Sequence, residues 1–455
     1  MEKGEREKKG GGKKETKEAV KESEFQFSQP DINVGLVGHI DHGKTTLLWR
    51  LSGRWADVHS EELKRGITIK LGYANTIIRR CESCGYLTYK ESCPKCESKS
   101  LKALRSVSFV DAPGHKMLMA SMLGGAAIID AAILVVAANE PFPQPQTKEH
   151  FLALKAKGIK NIIVAQNKID LVSKEQALKQ YAEIQEFIKK NLNKEVPIIP
   201  CSAQQEVNID LILEELLKLP KPERDLNAKP IFLVVRSFDV NLPGASIEQL
   251  KGGVLGGTLK QGKLRVGDEI EIKPGLFISK EIKHEKIIEY KSLKAKILSL
   301  RSNSELKEAL PYGNLAIQTS LDPSLTKADG LAGCVVGLSG TLPEITNKIK
   351  FRARLFEKLV GAETEQEISE IKQNEQLLLS INTAVTIAKV KRIEKNPERE
   401  GKEEKGKEEK GREEGKELIV EAELTIPIVP LHGSNIAIAR NYAGQWRLIG
   451  YGFLM

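Results

Sequence analysis

The chain has 455 residues, of which 40% are hydrophobic, enough for about three globular domains at roughly 150 residues each. Its net charge of +9, from 70 basic and 61 acidic residues, is compatible with a nucleic-acid partner and equally with ordinary solubility. The most apolar stretch, MLGGAAIIDAAILVVAANEP, carries Asp130 and lacks flanking membrane anchors, and the N-terminus has no apolar core. We therefore expect no membrane span and no secretory signal, and predict a cytoplasmic protein.

Two segments are rich in charge and poor in apolar residues. Residues 1–30 alternate Lys, Glu and Gly, which predicts a disordered charged tail. Residues 396–417 contain a five-residue repeat in the string GKEEKGKEEKGREEG, and strand-like runs flank it. We interpret this second segment as a solvated charged loop of a β-hairpin, either an inert extension or a contact for RNA or another partner.

Residues 31–225 alternate short apolar runs with helical patterns. The runs are INVGLVGH, SVSFVDAPG, AAILVVAA, NIIVAQNKID and VPIIPCSA. This alternation predicts an α/β domain with a mostly parallel sheet and helices on both faces. After the proline-rich linker LPKPERDLNAKP, short strands with frequent glycine predict two β-barrel domains, at 228–345 and 346–455.

The segment GLVGHIDHGKTTLL follows an apolar strand and opens a helical pattern. It matches the phosphate-binding pattern G-x-x-x-x-G-K-[ST] at Gly38, Gly43, Lys44 and Thr45. Glycine lets backbone N–H groups approach phosphate oxygens, and the N-terminus of the following helix adds a favourable dipole. The pattern predicts that Lys44 reaches the β- and γ-phosphates and that the Thr45 hydroxyl ligates Mg²⁺.

Three later segments indicate a guanine nucleotide. In DAPGH, Asp111 is placed to hold Mg²⁺ through water and the Gly114 N–H to bond the γ-phosphate. In NKID (167–170), a buried Asp170 carboxylate can accept hydrogen bonds from guanine N1 and N2, a donor pair that adenine lacks. In CSA (201–203), backbone N–H groups can reach guanine O6. The four motifs in this order predict a GTPase.

Two further residues bear on hydrolysis. Thr68, in RGITI, is a candidate second Mg²⁺ ligand in a loop that closes on the γ-phosphate and relaxes after hydrolysis. His115 directly follows Gly114, where Ras-type GTPases place a glutamine that orients the attacking water. We therefore predict that His115 is the catalytic, water-orienting residue.

A cysteine-rich stretch, RRCESCGYLTYKESCPKCESKS, interrupts the nucleotide-binding domain between RGITI and DAPGH. Its two C-x₂-C pairs are formed by Cys81, Cys84, Cys93 and Cys96. Disulfides are disfavoured in the cytosol, and a redox pair does not need two matched pairs. Four thiolates suit tetrahedral Zn²⁺ in a closed site with no position for a catalytic water. The stretch predicts a structural zinc knuckle in an insertion at residues 80–100.

The chain resembles translational GTPases of the elongation factor Tu type and, more narrowly, the gamma subunits of archaeal and eukaryotic translation initiation factor two. Besides GHIDHGKTT, RGITI, DAPGH and NKID, the most specific strings are HSEELKRGITIKLGYA, ANEPFPQPQTKEH, AQNKIDLV, RSFDVNLPGASIEQLKGGVLGGTLKQG and WRLIGYG. The resemblance covers all but the N-terminal tail and the charged repeat, and GHIDHGKTT is typical of the archaeal form.

The resemblance implies a residue set for each part of the nucleotide site. The phosphates are held by Asp41, His42, Gly43, Lys44, Thr45 and Thr46. The base is held by Asn167, Lys168, Ile169, Asp170, Ser202, Ala203 and Gln204. Magnesium is held by Thr45 and Thr68, and a second magnesium by Asp41 and the carbonyl of Gly66. His115 aligns the water for hydrolysis.

The resemblance also implies a function and partners. The family's protein is the core of a heterotrimer with alpha and beta subunits. In the GTP state it carries initiator methionyl-tRNA to the small ribosomal subunit, and hydrolysis of GTP to GDP and phosphate is the timing switch for release. The implied cofactors are GTP or GDP, Mg²⁺ and a structural Zn²⁺.

Other functions are compatible with the same domain plan. One is an elongation-type carrier of aminoacyl-tRNA, including the selenocysteine-specific kind, which usually has a large C-terminal extension. Another is the GTPase subunit that drives sulfate activation, which does not need the cysteine insertion. The third is a nucleotide-bound scaffold with little hydrolysis.

Overall fold

The computed structural model describes residues 27–55, 72–111, 119–241, 244, 246, 249–282, 285–359, 366–395 and 417–455. The first domain is built on a seven-stranded sheet. Its strands are β1 (Ile32–Gly38), β2 (Gly72–Cys81), β3 (Leu87–Thr88), β4 (Leu101–Asp111), β5 (Ala131–Ala137), β6 (Asn161–Asn167) and β7 (Ile198–Pro200). Their order is β3-β2-β4-β1-β5-β6-β7, parallel from β4 to β7, with β2 and β3 antiparallel at one edge.

Helices cover both faces of this sheet. They are α1 (Lys44–Ser52), α2 (Met119–Ala126), α3 (Pro145–Ala156), α4 (Lys174–Leu192) and α5 (Ile209–Lys218). On one face, Leu36 of β1 packs in a core with Leu47 of α1, and on the other face Val37 packs in a core with Phe151 of α3 and Ile184 of α4. A strand buried on both faces is mostly apolar, which explains the run INVGLVG, and its one polar residue, Asn33, is buried with its side-chain amide hydrogen-bonded. The predicted α/β domain is confirmed.

The second domain is a closed six-stranded barrel, called barrel II here. Its main strands are β8 (Ile231–Phe238), β9 (Val254–Gln261), β11 (Glu269–Ile282), β12 (Glu285–Arg301), β15 (Leu315–Thr319) and β16 (Val335–Leu338). The short strands are β10 (Leu264–Arg265), β13 (Glu305–Leu306) and β14 (Glu308–Ala309). The ring β11-β16-β8-β9-β15-β12 closes because β12 also pairs with β11.

The third domain is also a closed barrel, called barrel III here, with the strand order β17-β22-β21-β20-β23-β24. Its strands are β17 (Thr346–Leu355), β20 (Gln376–Ile381), β21 (Ala384–Lys395), β22 (Glu417–Ile428), β23 (Asn435–Tyr442) and β24 (Gln445–Leu454), with the short pair β18 (Lys358–Leu359) and β19 (Gln366–Glu367) beside it. The two predicted barrels are confirmed. Strands β21 and β22 form the expected hairpin, and Glu417, assigned to its loop from the sequence, is the first residue of β22. The rest of the charged repeat lies outside the described residues.

Residues 27–30 correct the boundary of the predicted tail. Gln29 Nε2 donates to the carbonyls of Leu310 and Tyr312 at 2.6 and 2.5 Å, and Asn303 Nδ2 donates to the Phe27 carbonyl at 2.7 Å. A polar segment with few apolar residues is ordered here because barrel II supplies partners for its backbone and its amide. Residues 1–26 lie outside the described part of the chain.

Hydrogen bonds and ion pairs join the first domain to both barrels. Toward barrel II, Asn33 Nδ2 donates to Thr258 Oγ1 at 2.9 Å. Toward barrel III, Arg447 Nη1 pairs with the buried Glu149 Oε1 of α3 at 2.7 Å, and Lys157 Nζ donates to Ser380 Oγ at 3.0 Å. The first domain therefore contacts barrel II through β1 and barrel III through α3 and Lys157, the residue that follows α3. Among the described residues, no helix is long and apolar enough to cross a membrane.

Candidate nucleotide site and cysteine knuckle

The phosphate-binding pattern forms the loop between β1 and α1, and its backbone requires glycine. Gly43 has φ 85°, and a Cβ there would lie 2.5 Å from Asn167 Nδ2. Gly38 has φ 146°, and a Cβ there would lie 2.3 Å from the Val135 carbonyl oxygen. Asp41 also has a left-handed backbone, with φ 59°. Both glycines are therefore needed for packing against neighbouring strands as well as for the approach of phosphate.

Lys44, Thr45 and Asp111 meet at the carboxyl ends of β1 and β4. These strands are parallel neighbours, with Leu36 opposite Asp111. The Lys44 ammonium is buried and donates to the His39 carbonyl at 2.6 Å, inside the loop. Thr45 Oγ1 donates to Oδ2 of the fully buried Asp111 at 3.0 Å. A hydroxyl and a buried carboxylate at one point are oxygen ligands of the kind that Mg²⁺ takes in nucleotide sites.

Two buried histidines support the phosphate-binding loop. His42 Nδ1 lies 2.9 Å from the Val135 carbonyl and its Nε2 lies 3.2 Å from Glu140 Oε2. Burial lowers the pKa of the His42 imidazole. The Gly38 N–H donates to His150 Nδ1 at 3.1 Å, and burial lowers the pKa of His150 to about 3, so this ring is neutral and accepts the bond. Sequence reasoning missed His150 and Glu140 as site residues, although both lie in the string ANEPFPQPQTKEH.

Asn167 connects the phosphate-binding loop to the base motif. It lies at the end of β6, where Nδ2 donates to the His42 carbonyl at 2.9 Å and Oδ1 accepts from the Ala203 N–H at 2.9 Å. The NKID and CSA motifs therefore meet, as their positions at the ends of adjacent parallel strands predict. Lys168 has φ 63° and starts a short 3₁₀ helix, Ile169–Leu171.

Asp170 lies in that 3₁₀ helix, and its side chain is exposed. The prediction of a buried carboxylate at this position is therefore wrong. Strand β6 ends at Asn167, so the chain has already left the core when it reaches Asp170. A hydrogen bond from a base to this carboxylate would therefore be strengthened by the negative charge and by contact with the base, and not by burial of the carboxylate within the protein.

The loop 202–206, called here the base loop, is held by Arg50 of α1. Arg50 Nε donates to the Ala203 carbonyl at 3.0 Å, Nη2 donates to the Gln204 carbonyl at 3.2 Å, and Nη1 pairs with Glu206. Ser202 is buried and forms a bridge with Val207. Arg50 thereby ties the helix that follows the phosphate loop to the loop expected to hold the base. Sequence reasoning missed Arg50 and Glu206, which belong to no local motif.

The four cysteines between β2 and β4 come together as predicted from their spacing. Their Sγ atoms all lie within 4.8 Å of one another, and Cys81–Cys96, Cys84–Cys93 and Cys84–Cys96 are each 3.5 Å apart. Each pair lies on a tight turn, with the Gly85 N–H donating to the Cys81 carbonyl and the Glu97 N–H to the Cys93 carbonyl, both at 2.9 Å. Zn–S bonds of about 2.3 Å place tetrahedral sulfurs a little under 4 Å apart, so the cluster fits Zn²⁺.

The cysteine knuckle contacts the base loop. Lys90, between the two cysteine pairs, places Nζ 3.4 Å from Glu206 Oε2. Glu206 thus pairs with Lys90 of the knuckle and with Arg50 of α1. The remaining predicted site residues, Gly66, Thr68, Gly114 and His115, lie outside the described residues.

Comparison with known proteins extends over nearly the whole chain. Residues 29–222 match the family model of the elongation factor Tu GTP binding domain, and residues 347–399 and 413–454 match that of initiation factor eIF2 gamma, C terminal. The fold is similar to elongation factor SelB from Methanococcus maripaludis, solved with the GTP analogue GPPNHP (TM-score 0.65, 22% identity, 94% of this chain and 79% of that one). A bacterial selenocysteine-specific elongation factor gives TM-score 0.65 at 21% identity, and there the chain spans only 58% of the structure's length.

Relatives of higher identity share one description, translation initiation factor 2 subunit gamma. The protein from Methanocaldococcus jannaschii is 47% identical over 429 residues, covering 94% of this chain and 98% of its own. That from Pyrococcus furiosus is 46% identical over 428 residues, with the same coverage. The resemblance predicted from the motifs is confirmed. The nucleotide-binding motifs meet at one edge of the sheet, two closed barrels follow in the chain, and the similarity to these relatives covers 94% of the chain. The protein therefore belongs to the gamma subunits of translation initiation factor 2, a family of translational GTPases.

Proposed function

We propose that this GTPase carries initiator methionyl-tRNA to the small ribosomal subunit in its GTP state and releases it after hydrolysis to GDP and phosphate. The observation that carries the proposal is the assembly around Asn167, which ties the phosphate loop at His42 to the base loop at Ala203. Family membership supports the step from a GTP-driven switch to initiation.

Each part of the site has a proposed role in binding the nucleotide. Backbone N–H groups of residues 41–46 surround the phosphates while Lys44 neutralises charge on their oxygens. Asp170 accepts from the guanine base, and Ser202, Ala203 and Gln204 face its O6 edge, held in place by Arg50.

Thr45 and Asp111 are the residues proposed to hold Mg²⁺, Thr45 directly and Asp111 through water. Thr68 is proposed as a further ligand, with Asp41 and the Gly66 carbonyl for a second magnesium. The family implies Mg²⁺, which when bound offsets negative charge on the β- and γ-phosphate oxygens. The Thr45–Asp111 hydrogen bond supports the first pair because it places the two oxygens next to each other.

His115 is proposed to orient the attacking water. A neutral imidazole next to Gly114 can accept a hydrogen bond from that water and fix its direction toward the γ-phosphorus. This role rests on the DAPGH motif and on family membership.

We further propose that the chain works in the cytoplasm as the core of a heterotrimer with the alpha and beta subunits of the factor. The relatives are gamma subunits by name, which supports partners of that kind.

The tRNA proposal is tested by the selectivity of the assembled factor. We expect the GTP-loaded protein, with its alpha and beta subunits, to bind initiator methionyl-tRNA at least about tenfold more tightly than elongator methionyl-tRNA or other aminoacyl-tRNAs, as 1.4 kcal/mol of discrimination gives. Filter binding with labelled tRNAs measures this ratio. Equal binding of all aminoacyl-tRNAs would indicate an elongation-type carrier instead, and a lack of tRNA binding would favour the scaffold or sulfate-activation alternatives.

Zn²⁺ is proposed as the structural ion of the cysteine knuckle. We expect purified protein to contain about one zinc per chain by elemental analysis, and the double variant Cys84→Ser/Cys96→Ser to contain none, because two hydroxyls replace two thiolates. Cys334→Ala, in the core of barrel II, is the matched control and keeps its zinc.

Loss of zinc should also weaken the contact between the cysteine knuckle and the base loop, and thereby increase the rate of GDP dissociation. An exposed ion pair is worth about 0.2–1 kcal/mol, so loss of the Lys90–Glu206 contact should raise the GDP dissociation rate at most about fivefold. A zinc content of zero in the unaltered protein would contradict the structural-zinc proposal. A collapse of GDP binding in the double variant would show that the knuckle does more than support the base loop.

A further inference from the structure

A cavity of about 820 Å³ lies where the three domains meet. Its walls come from the end of α3 at Lys157, the interdomain linker at 220–224, the end of β9 at Lys260 and the loop 430–435 of barrel III. It shares no lining residue with the proposed GTP site, and its size is within the range of about 300–1,000 Å³ typical of small-molecule sites. We call it the junction cavity.

Cations outnumber carboxylates in the walls of the junction cavity. The titratable residues that line it are Asp130, Lys157, Lys221, Glu223, Arg224, Lys260 and His432. Asp130 is already engaged, since one oxygen pairs with Arg224 and the other accepts the Asn33 N–H at 3.0 Å. Lys221 and Glu223 are both exposed, and Lys221 Nζ lies 4.2 Å from the centre of the Tyr312 ring. The inner wall therefore holds three cations, Lys157, Arg224 and Lys260, and the single carboxylate of Asp130.

Two donors in this wall lack acceptors within the described residues. Arg224 Nε is buried without a hydrogen-bond partner, although another nitrogen of the same guanidinium pairs with Asp130. Lys260 makes no hydrogen bond or ion pair to any residue in the described ranges, and burial lowers its pKa to about 8. Lys157 differs, because its ammonium donates to Ser380 and to the Asn382 carbonyl. Cations that are poorly solvated and unpaired are costly unless an anion satisfies them.

We propose that the junction cavity binds the phosphate group of a small molecule, at a site separate from the GTP site, through Lys260 and Arg224. Phosphate oxygens can accept hydrogen bonds from the Lys260 ammonium, which pairs with no described residue, and from Arg224 Nε once that buried group turns toward the cavity. Charge-assisted hydrogen bonds of this kind are among the strongest in proteins. The apolar part of the wall, formed by Ile129, Ile159 and Leu431, can accommodate a larger organic group attached to the phosphate. Because Arg224 belongs to the linker between the first domain and barrel II, and Lys260 belongs to barrel II, such a ligand joins that linker to that barrel.

The test measures thermal unfolding of the full chain saturated with GDP, so that the phosphate loop is already filled. Inorganic phosphate and adenosine monophosphate are added separately, against sodium chloride at equal ionic strength. A ligand that binds only the folded state raises the melting temperature as its concentration rises. A shift with inorganic phosphate alone assigns free phosphate as the ligand, and a larger shift with adenosine monophosphate assigns a nucleoside phosphate.

Variants of Lys260 separate a phosphate site from a general salt effect. We expect Lys260→Met to raise the melting temperature without phosphate, because it removes an unpaired cation, and to need about tenfold more phosphate for the same shift. Lys260→Arg should retain the phosphate response. Lys229→Met, at an exposed lysine outside the cavity, is the matched control and should behave as the unaltered chain.

The proposal is overturned by equal phosphate responses in Lys260→Met and the unaltered chain, by a shift that chloride reproduces, or by no shift with either ligand. If Lys260→Met does not fold, Arg224→Lys serves instead, because it keeps the charge beside Asp130 and removes Nε. That variant should also require about tenfold more phosphate, and an unchanged response would overturn the proposal in the same way.

Discussion

Asp170→Asn is expected to weaken GTP binding by about 100-fold and to make XTP the preferred nucleotide. The carboxylate is proposed to accept hydrogen bonds from guanine N1 and N2, and loss of its charge would remove about 1.5–3 kcal/mol for each charge-assisted bond. An asparagine amide can instead donate to the carbonyl that xanthine carries in place of the guanine amino group. Because Asp170 is exposed, the variant should fold as the unaltered chain does.

Competition binding with a fluorescent nucleotide gives both affinities for this variant. Asp268→Asn makes the same chemical change in a turn of barrel II, where Asp268 Oδ2 accepts the Arg265 N–H, and should leave the GTP to XTP ratio unaltered. If the ratio stays unchanged in Asp170→Asn as well, Asp170 does not recognise the base.

His115→Ala is expected to slow stimulated GTP hydrolysis by about 10²- to 10⁴-fold while GTP affinity stays within a fewfold of its original value. A residue that orients water acts on the transition state, so its loss affects the rate and spares ground-state binding. Single-turnover hydrolysis in initiation complexes on the small ribosomal subunit, with GTP affinity measured separately, gives the two quantities.

His115→Gln is the informative companion variant. A glutamine amide oxygen can also accept a hydrogen bond from water, so we expect this variant to hydrolyse GTP faster than His115→Ala. Equal losses of rate and of GTP affinity in His115→Ala would show that the residue supports the structure of the site.

The convergence of the nucleotide motifs could be predicted from the sequence because each motif follows a parallel strand. The carboxyl ends of β1, β4 and β6 lie at one edge of the sheet, so motifs far apart in sequence meet there. The cysteine cluster was predictable for a different reason: its spacing alone brings four thiols together.

The supporting residues could not be predicted, because their partners are distant in sequence and no local pattern marks them. Arg50 forms hydrogen bonds with the base loop, more than 150 residues away in sequence. The Gly38 N–H donates to His150, which is 112 residues away. Gln29 belongs to the charged tail by sequence, but in the structure its side-chain amide forms hydrogen bonds with Leu310 of barrel II. Closure of barrel II likewise depends on pairing between β11 and β16, which are distant in sequence, and no local sequence pattern specifies that these two strands pair.

The central claim is that the nucleotide state controls tRNA binding, and one measurement tests it most directly. The affinity of the factor, assembled with its alpha and beta subunits, for initiator methionyl-tRNA is determined with a non-hydrolysable GTP analogue and with GDP. We predict binding at least about tenfold tighter in the GTP state, within the range of about 5- to 150-fold usual for coupled sites. Equal affinity in the two states would contradict control of tRNA binding by the bound nucleotide.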